Sequence, residues 1–252
     1  MAKKPIDARC NGPGCSSTEL IEAHIIPSSF AAFIRGDDPN IANVQLTLHS
    51  AKDAFPQLGE YDPGILCGDC DGKLGILDGY AIKICRDFSK LAVKSGAFYE
   101  MPDVDGDLLG KFFLSIIWRA SLSTRPNFAE IDLGPYNDVV RDMIFSDAPL
   151  ASNVALQVAL ERLESIHLDA SKIVSIPRPS SLGGRNGYGF MIGGFRVYVK
   201  VDKRPLPGNQ TNGVLGGKGA LRLFARRFED TSEFDATADM IVAEHHRRQS
   251  KG

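Results

Sequence analysis

The stretch ILCGDCDGKLGILDGY, Ile65 to Tyr80, decides the fold of the N-terminal third of the chain. Within it, Cys67 and Cys70 flank the turn-forming residue Gly68 and one aspartate. The residues that follow place apolar side chains approximately on one side of a helix: Leu74, Leu77, Ile82, Cys85 and Phe88. This periodicity predicts a helix that starts directly after the cysteines. Two thiolates at this spacing before a helix are typical of a zinc-binding turn.

A second cysteine pair, Cys10 and Cys15, lies in the sequence CNGPGC near the N-terminus. Glycine and proline between the two cysteines favour a tight turn, which lets two thiolates converge on one ion. Because paired spacing occurs twice, we predict one structural zinc site with all four cysteines as ligands. The alternative is a set of reduced, buried thiols. Cys85 has no partner in sequence and is predicted to be a core thiol.

The bulk composition is that of an ordinary soluble protein. The chain has 252 residues, of which 43% are hydrophobic, so it can form one large core or two small ones. Its net charge of -2 excludes a global basic field, although a local groove could still bind nucleic acid. Apolar runs such as FFLSIIW are too short to span a bilayer, and MAKKPIDARC lacks the apolar core of a secretion signal. We therefore predict a cytoplasmic protein with no membrane partner, in which cysteines are ligands or free thiols.

Between the two cysteine pairs lies EAHIIPSSF, Glu22 to Phe30. Two β-branched residues favour an extended backbone, and Pro27 removes a backbone donor, so a strand is expected to end there. His24 would then lie near the end of a strand, beside the start of a loop.

These three features together resemble the HNH family of nucleases: a cysteine pair, a strand ending in His-Ile-Ile-Pro, and Leu-Cys-x-x-Cys running into a helix. In that family two strands and a helix form a ββα-metal module, and in many members cysteines hold a structural zinc. The resemblance covers approximately residues 8–85.

The resemblance implies a role for each matching residue. His24 occupies the position of the general base that activates water. Asp71, directly after Cys70, stands where a second metal-binding residue is usual, and a carboxylate suits the catalytic Mg²⁺ or Mn²⁺ expected there. Asp62 falls near the middle polar position, which helps to orient the base.

One position departs from the family pattern. Ala23 stands where a metal-binding side chain is common, and alanine cannot coordinate an ion. Glu22 precedes His24 by two residues, and alternation along a strand would place both on one face. Glu22 is therefore a candidate replacement ligand for the catalytic ion.

The rest of the chain predicts an α+β fold. A ββα-metal module is followed by a helical segment, which includes a helix from Gly106 to before Pro126, and then by an antiparallel β region from about residue 171. A hairpin is expected at Gly193-Gly194, whereas SNVALQVALERLESI fits both periodicities and has a composition that favours helix. A break at MPDVDGD divides the chain into a zinc-binding module, residues 1–100, and an accessory domain, residues 101–252.

Several other polar residues have two interpretations. Arg119 lies in a strongly apolar helix, where it could contact phosphate or form a structural ion pair. His49 fits an exposed loop better than the site. His245 and His246 are adjacent and make a poor chelate, although the basic run that they begin could end a helix or contact nucleic acid.

The sequence thus predicts a metal-dependent HNH-type endonuclease that hydrolyses phosphodiester bonds, with DNA as the expected substrate and phage defence as a role suggested by the resemblance. The expected cofactors are a structural Zn²⁺ and a catalytic Mg²⁺ or Mn²⁺. One alternative is a catalytically inactive HNH-like zinc module that binds nucleic acid or a protein partner. Another is an interaction protein in which zinc only closes the N-terminal fold.

Overall fold

The structure, a computed structural model, describes residues 9–35, 45–46, 60–167, 169–208 and 213–235. It is a mixed α/β fold with one large sheet, one small sheet and few helices. Among the described helices, none combines the length and the apolar character needed to cross a membrane. The predictions for His49, His245 and His246 lie outside the described residues.

The elements of the N-terminal part, in chain order, are β1 (Ala23–His24), α1 (Ser28–Arg35), β2 (Gln45–Leu46), β3 (Tyr61–Asp62) and α2 (Gly68–Leu91). A hairpin and two further helices follow: β4 (Val93–Ser95), β5 (Phe98–Asp105), α3 (Gly106–Leu122) and α4 (Asn137–Ile144). The C-terminal part contributes β6 (Leu156–Glu164), β7 (Val174–Ser175), β8 (Arg178–Leu182), β9 (Arg185–Ile192), β10 (Phe195–Val201) and β11 (Lys218–Arg227).

Two sheets result from these strands. β1 and β3 form a two-stranded antiparallel sheet, which is followed in the chain by α2. The other nine strands form one sheet in the order β2-β7-β9-β10-β6-β11-β5-β4, with β8 paired to β9. Most of its neighbours are antiparallel, but β6 pairs with β11, and β2 with β7, in parallel. The predicted C-terminal antiparallel region is therefore part of a larger mixed sheet, which also includes the β4–β5 hairpin.

Helices α2 and α3 pack against each other and against strands of the large sheet, and both agree with the predicted helical segments. α2 begins at Gly68, with Cys67 as its N-cap residue, so the second cysteine pair straddles the helix start. α3 is buried along most of its length, and Trp118 is fully buried, as expected of a core anchor.

Two strand predictions had different outcomes. The hairpin at Gly193-Gly194 is confirmed, because both glycines have positive φ angles of 61° and 83° and join β9 to β10. The segment SNVALQVALERLESI, whose composition favours helix, instead contains β6, which pairs with β10 on one side and β11 on the other. Sheet pairing and burial outweigh its helix propensity.

The main hydrophobic core is continuous along the chain. One cluster of buried side chains runs from Cys10 through α2 and α3 to Leu223 of β11. The predicted boundary at MPDVDGD falls within β5 and the start of α3. The division into residues 1–100 and 101–252 stays a prediction. Side chains from both of these segments contribute to the same hydrophobic core.

Candidate functional site

The four paired cysteines converge at one point. The Sγ atoms of Cys10, Cys15, Cys67 and Cys70 all lie within 4.8 Å of one another, and those of Cys15 and Cys67 are 3.7 Å apart. A tetrahedral Zn²⁺ with Zn–S bonds of about 2.3 Å has sulfur–sulfur edges of about 3.8 Å. The cluster therefore fits a metal ion such as zinc, and no disulfide competes for these thiols.

The backbone around the cluster explains this convergence. The Cys10 thiol accepts hydrogen bonds from the N–H groups of Gly12 (3.4 Å) and Cys67 (3.3 Å). A side chain at Gly12 would place its Cβ 2.4 Å from the Sγ of Cys70, so only glycine fits in this turn. A bridge between Leu20 and Cys67 holds the N-terminal loop against the start of α2.

The electrostatics of the cluster favour a bound cation. The backbone N–H of Cys70, at the start of α2, lowers the pKa of the Cys67 thiol to about 7. Burial, followed by the neighbouring thiols, raises the pKa of Cys70 above its ordinary value. Burial also raises the pKa of Cys10. Four thiolates cannot ionise side by side without a positive charge among them, and a metal ion supplies that charge.

The pairing of β1 with β3 determines which side chains share each face of the small sheet. Ala23 pairs with Asp62, and His24 pairs with Tyr61. Residues directly opposite on antiparallel strands share one face, so Ala23 and Asp62 point into the core while His24 and Tyr61 share the other, half-buried face. The ring centroids of His24 and Tyr61 are 6.2 Å apart.

His24 and Asp71 lie within electrostatic reach of each other. The Nε2 atom of His24 is buried and has no hydrogen-bond partner among the described residues. Asp71 lies in the first turn of α2, half-buried, and burial raises the pKa of its carboxyl group. The charges of Arg119 and His24 oppose that increase, whereas Asp78, two helical turns further along α2, adds to it. In the fold, two groups 47 residues apart in sequence are close enough for the charge of His24 to lower the pKa of Asp71.

Arg119 connects this face to α3. Its side chain is fully buried and forms a bidentate ion pair with Asp78, with Nη2–Oδ1 at 2.9 Å and Nη1–Oδ2 at 3.3 Å. The same guanidinium donates from Nη1 to the carbonyl oxygen of His24 at 2.8 Å and from Nη2 to the hydroxyl of Ser115 at 3.0 Å. Of the two interpretations of Arg119, the structural ion pair is confirmed.

Asp62 lies on the face of the sheet opposite to His24. Its carboxylate accepts hydrogen bonds from the Ser123 hydroxyl (2.9 Å), the Thr124 N–H (2.9 Å) and hydroxyl (3.2 Å), and the Gly64 N–H (2.8 Å). Burial alone would raise the pKa of Asp62, but these donors outweigh burial and leave the pKa below its ordinary value. The contacts hold the loop after α3 against β3, and a catalytic role for Asp62 stays a prediction.

The third ligand for a catalytic ion is not supplied by the described residues. Ala23 is fully buried, and Glu22 is exposed at the surface. Within the described ranges, the four cysteines are the one group of three or more metal-binding side chains close enough to hold an ion. The predicted site of Asp71 and Glu22 therefore has one residue near His24 and one directed to solvent.

Three residues near His24 were not predicted as site residues. Asp78 could have been predicted from the sequence, because it follows Asp71 by seven positions and so lies on the same helix face. Tyr61 could have been predicted from strand alternation, because the neighbour of an inward-facing Asp62 must point to the opposite face of the strand. Arg125 donates from Nε to the carbonyl oxygen of Tyr61 at 2.6 Å. No pattern in the sequence indicates that the loop after α3 returns to β3.

Comparisons with known proteins give no further guide to these residues. No protein-family model, no curated protein and no solved structure matches the chain. The resemblance to the HNH family therefore rests on the cysteine and histidine motifs alone, and what the residues establish is a four-cysteine cluster able to hold a metal ion.

Proposed function

We propose that the protein is a metal-dependent HNH-type endonuclease that hydrolyses phosphodiester bonds, with DNA as its substrate. In this proposal Cys10, Cys15, Cys67 and Cys70 bind a structural zinc that fixes the start of α2. A two-stranded sheet, β1–β3, precedes that helix, and His24 on the sheet and Asp71 on the helix form the reacting site. The proposed role in phage defence has the motif resemblance as its only support.

The observation that carries the proposal is the buried, unpartnered Nε2 of His24, whose charge also lowers the pKa of the Asp71 carboxyl group. A buried imidazole nitrogen without a partner is costly, and the Asp71 carboxylate accepts no hydrogen bond from the described residues. A bound ion or water at each group would satisfy it. Unsatisfied polar groups of this kind cluster at functional sites.

The chemistry follows from the two side chains. His24 accepts a proton from the attacking water, because an imidazole titrates near neutral pH in general and is a common general base. Asp71 contributes an oxygen ligand of the type that Mg²⁺ and Mn²⁺ prefer. A divalent ion held by Asp71 would supply positive charge to offset the phosphodiester and the leaving oxygen. Arg119 fixes the backbone of His24 by its bond to the carbonyl oxygen.

The second candidate function is a zinc-stabilised module that binds nucleic acid or a protein without cutting. Ala23 favours it, since this residue is buried and provides no ligand. The exposed position of Glu22 favours it as well, because a lone carboxylate beside an imidazole holds a divalent ion weakly.

A cleavage assay separates the two functions. Supercoiled plasmid and circular single-stranded DNA are incubated with the wild type, His24→Ala and Asp71→Asn in the presence of Mg²⁺ or Mn²⁺. His167→Ala is the matched control, because His167 is exposed. The endonuclease predicts nicking by the wild type and control and a loss of at least about 100-fold in His24→Ala. Binding to both DNAs without cleavage by any variant would instead support the inactive module.

Zinc content must be measured on the same samples, because a lost cluster would also abolish activity. We expect about one zinc per chain in all four proteins. A His24→Ala protein that retains its zinc and its activity would contradict the assignment of the base.

A further inference from the structure

The loop that follows α3 is held against β3, the strand that pairs with β1 and carries both Asp62 and Tyr61. Asp62 accepts three hydrogen bonds from Ser123 and Thr124, so the position of the next residue, Arg125, is tightly fixed. The Arg125 N–H also donates to the Ser123 hydroxyl at 3.1 Å. The loop is therefore built to present Arg125 at a defined place rather than to leave it free in solvent.

The guanidinium of Arg125 is held by two further contacts. Its Nε donates to the carbonyl oxygen of Tyr61 at 2.6 Å, and its Cζ lies 4.7 Å from the centroid of the Tyr61 ring. A bond to a carbonyl together with cation–π stacking limits the guanidinium to one orientation. The Nη1 and Nη2 groups, which carry four of the five donors, have no hydrogen-bond or ion-pair partner among the described residues.

These free donors lie on the same side of the molecule as the proposed base. Tyr61 is the cross-strand partner of His24, with ring centroids 6.2 Å apart, and Arg125 stacks on the same phenol ring, so the imidazole and the guanidinium both adjoin Tyr61. The imidazole and the guanidinium therefore lie within about 11 Å of each other, a span of a few nucleotides of one strand at an axial rise of about 3.4 Å per nucleotide. A strand whose reacting phosphate contacts His24 would place a neighbouring phosphate at Arg125.

From this arrangement we propose that Arg125 and Tyr61 form a phosphate-contact subsite for one strand of DNA. The inference rests on the proposed function, because it takes the polynucleotide as the ligand of the His24 face. It assigns a specific cation to that face. Arg119 is committed to Asp78 and to the His24 carbonyl, and the chain as a whole has a net charge of -2. Local cations must then supply the attraction for phosphate.

The subsite also assigns a task to Asp62. Its carboxylate is saturated by donors from Gly64, Ser123 and Thr124, and it lies on the face opposite to His24. Asp62 acts as a positioning residue: it holds the loop, and the loop holds Arg125 over Tyr61. A guanidinium that is already oriented loses little side-chain freedom when it binds a phosphate.

The test is a binding titration with fluorescein-labelled single-stranded and duplex DNA of 20 nucleotides or base pairs, on the order of one site size. No divalent cation is added, so the DNA stays intact, and KCl is varied. Arg125→Gln should bind about five- to tenfold more weakly than wild type at low salt. The slope of log K against log[KCl] should become shallower by about 1.

Arg222→Gln is the matched control. Arg222 also stacks on an aromatic ring, with its Cζ 4.2 Å from the centroid of Phe98, but it lies on β11 in the large sheet. We expect this variant to bind within about twofold of wild type, with an unchanged slope. An equal loss in Arg222→Gln would overturn the subsite, because it would show only a general effect of charge.

Arg125→Lys covers the case in which the glutamine variant folds poorly. Lysine keeps the positive charge, but it has no planar group that can stack on Tyr61 and donate to a phosphate at the same time. We therefore expect Arg125→Lys to bind DNA about threefold more weakly than wild type, with a nearly unchanged slope of log K against log[KCl]. If both Arg125 variants bound DNA with wild-type affinity, the subsite would be overturned. The proposed function would survive that result, provided that the wild type still cleaved plasmid. A wild type that neither binds nor cuts DNA would overturn the proposed function, and the subsite with it.

Discussion

Two polar clusters share the first turn of α2, and they differ in how completely the described residues build them. The cysteine cluster has four ligands, N–H donors aimed at its sulfur atoms and a glycine that only just fits beside it. The cluster of His24 and Asp71 has two groups near each other, neither of them satisfied by the described residues. The first arrangement is that of a structural metal site, and the second is that of a site open to a ligand.

The difference extends to what each cluster contributes to stability. Structural zinc sites contribute folding free energy directly, whereas open catalytic sites are often costly to maintain. The support around His24 comes instead from α3, through Arg119 and the loop that Asp62 holds. The predictions below test whether the two clusters can be lost separately.

The largest effect is expected at the cysteine cluster. Cys67→Ser removes one of the four ligands, at the N-cap position of α2, and zinc binding in small sites is worth about 10–16 kcal/mol in total. We expect loss of the metal and of cooperative unfolding in the N-terminal part, measured by zinc content and by circular dichroism during heating. Cys85→Ser is the control, since Cys85 is a buried thiol outside the cluster. Retention of zinc by Cys67→Ser would contradict a four-cysteine site.

The next effect is expected at the ion pair between Arg119 and Asp78. Arg119→Met leaves the Asp78 carboxylate, whose side chain is only 17% exposed, without its partner. Breaking such a pair on one side costs about 3–5 kcal/mol. Urea unfolding should show this loss, and it should be smaller in the double variant Arg119→Met/Asp78→Asn. An additive double variant would indicate that the two residues do not interact.

A moderate, pH-dependent effect is expected at Asp62. Its folded-state pKa is below the ordinary value, so it adds stability above the unfolded-state pKa of about 3.9 and loses that contribution as pH falls through the folded-state pKa. Asp62→Asn should cost about 1–3 kcal/mol at pH 7 and less at pH 3. Chemical unfolding at both pH values measures the difference. A constant cost at both pH values would show that the charge of Asp62 is not what holds the loop.

The sequence contains most of the local information on which these predictions depend. Cysteine spacing indicates the cluster, because ligands of one ion must lie on tight turns, and apolar periodicity locates α2 and α3. A strand that stops before Pro27 was predicted, and β1 does stop there, although it ends at His24 and leaves the β-branched Ile25 and Ile26 outside it. These inferences need only neighbours within a few positions.

What the sequence does not contain is the long-range arrangement. β6 has a helix-favouring composition, but two partner strands far away in the chain determine its conformation. Arg125 lies 64 residues from Tyr61, and nothing in either segment indicates their contact. Asp62 was predicted from a motif position, whereas its four hydrogen bonds depend on a loop that only the folded chain brings near.

The smallest effect on stability is expected for Asp71→Asn, and it distinguishes the cysteine cluster from the cluster of His24 and Asp71 most directly. Asp71→Asn removes a carboxylate that accepts no hydrogen bond from the described residues, so without added divalent ions we expect a change in unfolding free energy within about 0.5 kcal/mol. A divalent ion that binds the folded wild type at ten times its Kd adds about 1.4 kcal/mol, by RT ln(1 + [L]/Kd). Thermal unfolding in a Mn²⁺ series should therefore stabilise the wild type and leave Asp71→Asn nearly unchanged, with zinc content equal in both. Equal stabilisation of the two proteins would place the added ion elsewhere, and the cysteine cluster would then be the one metal site supported at this helix start.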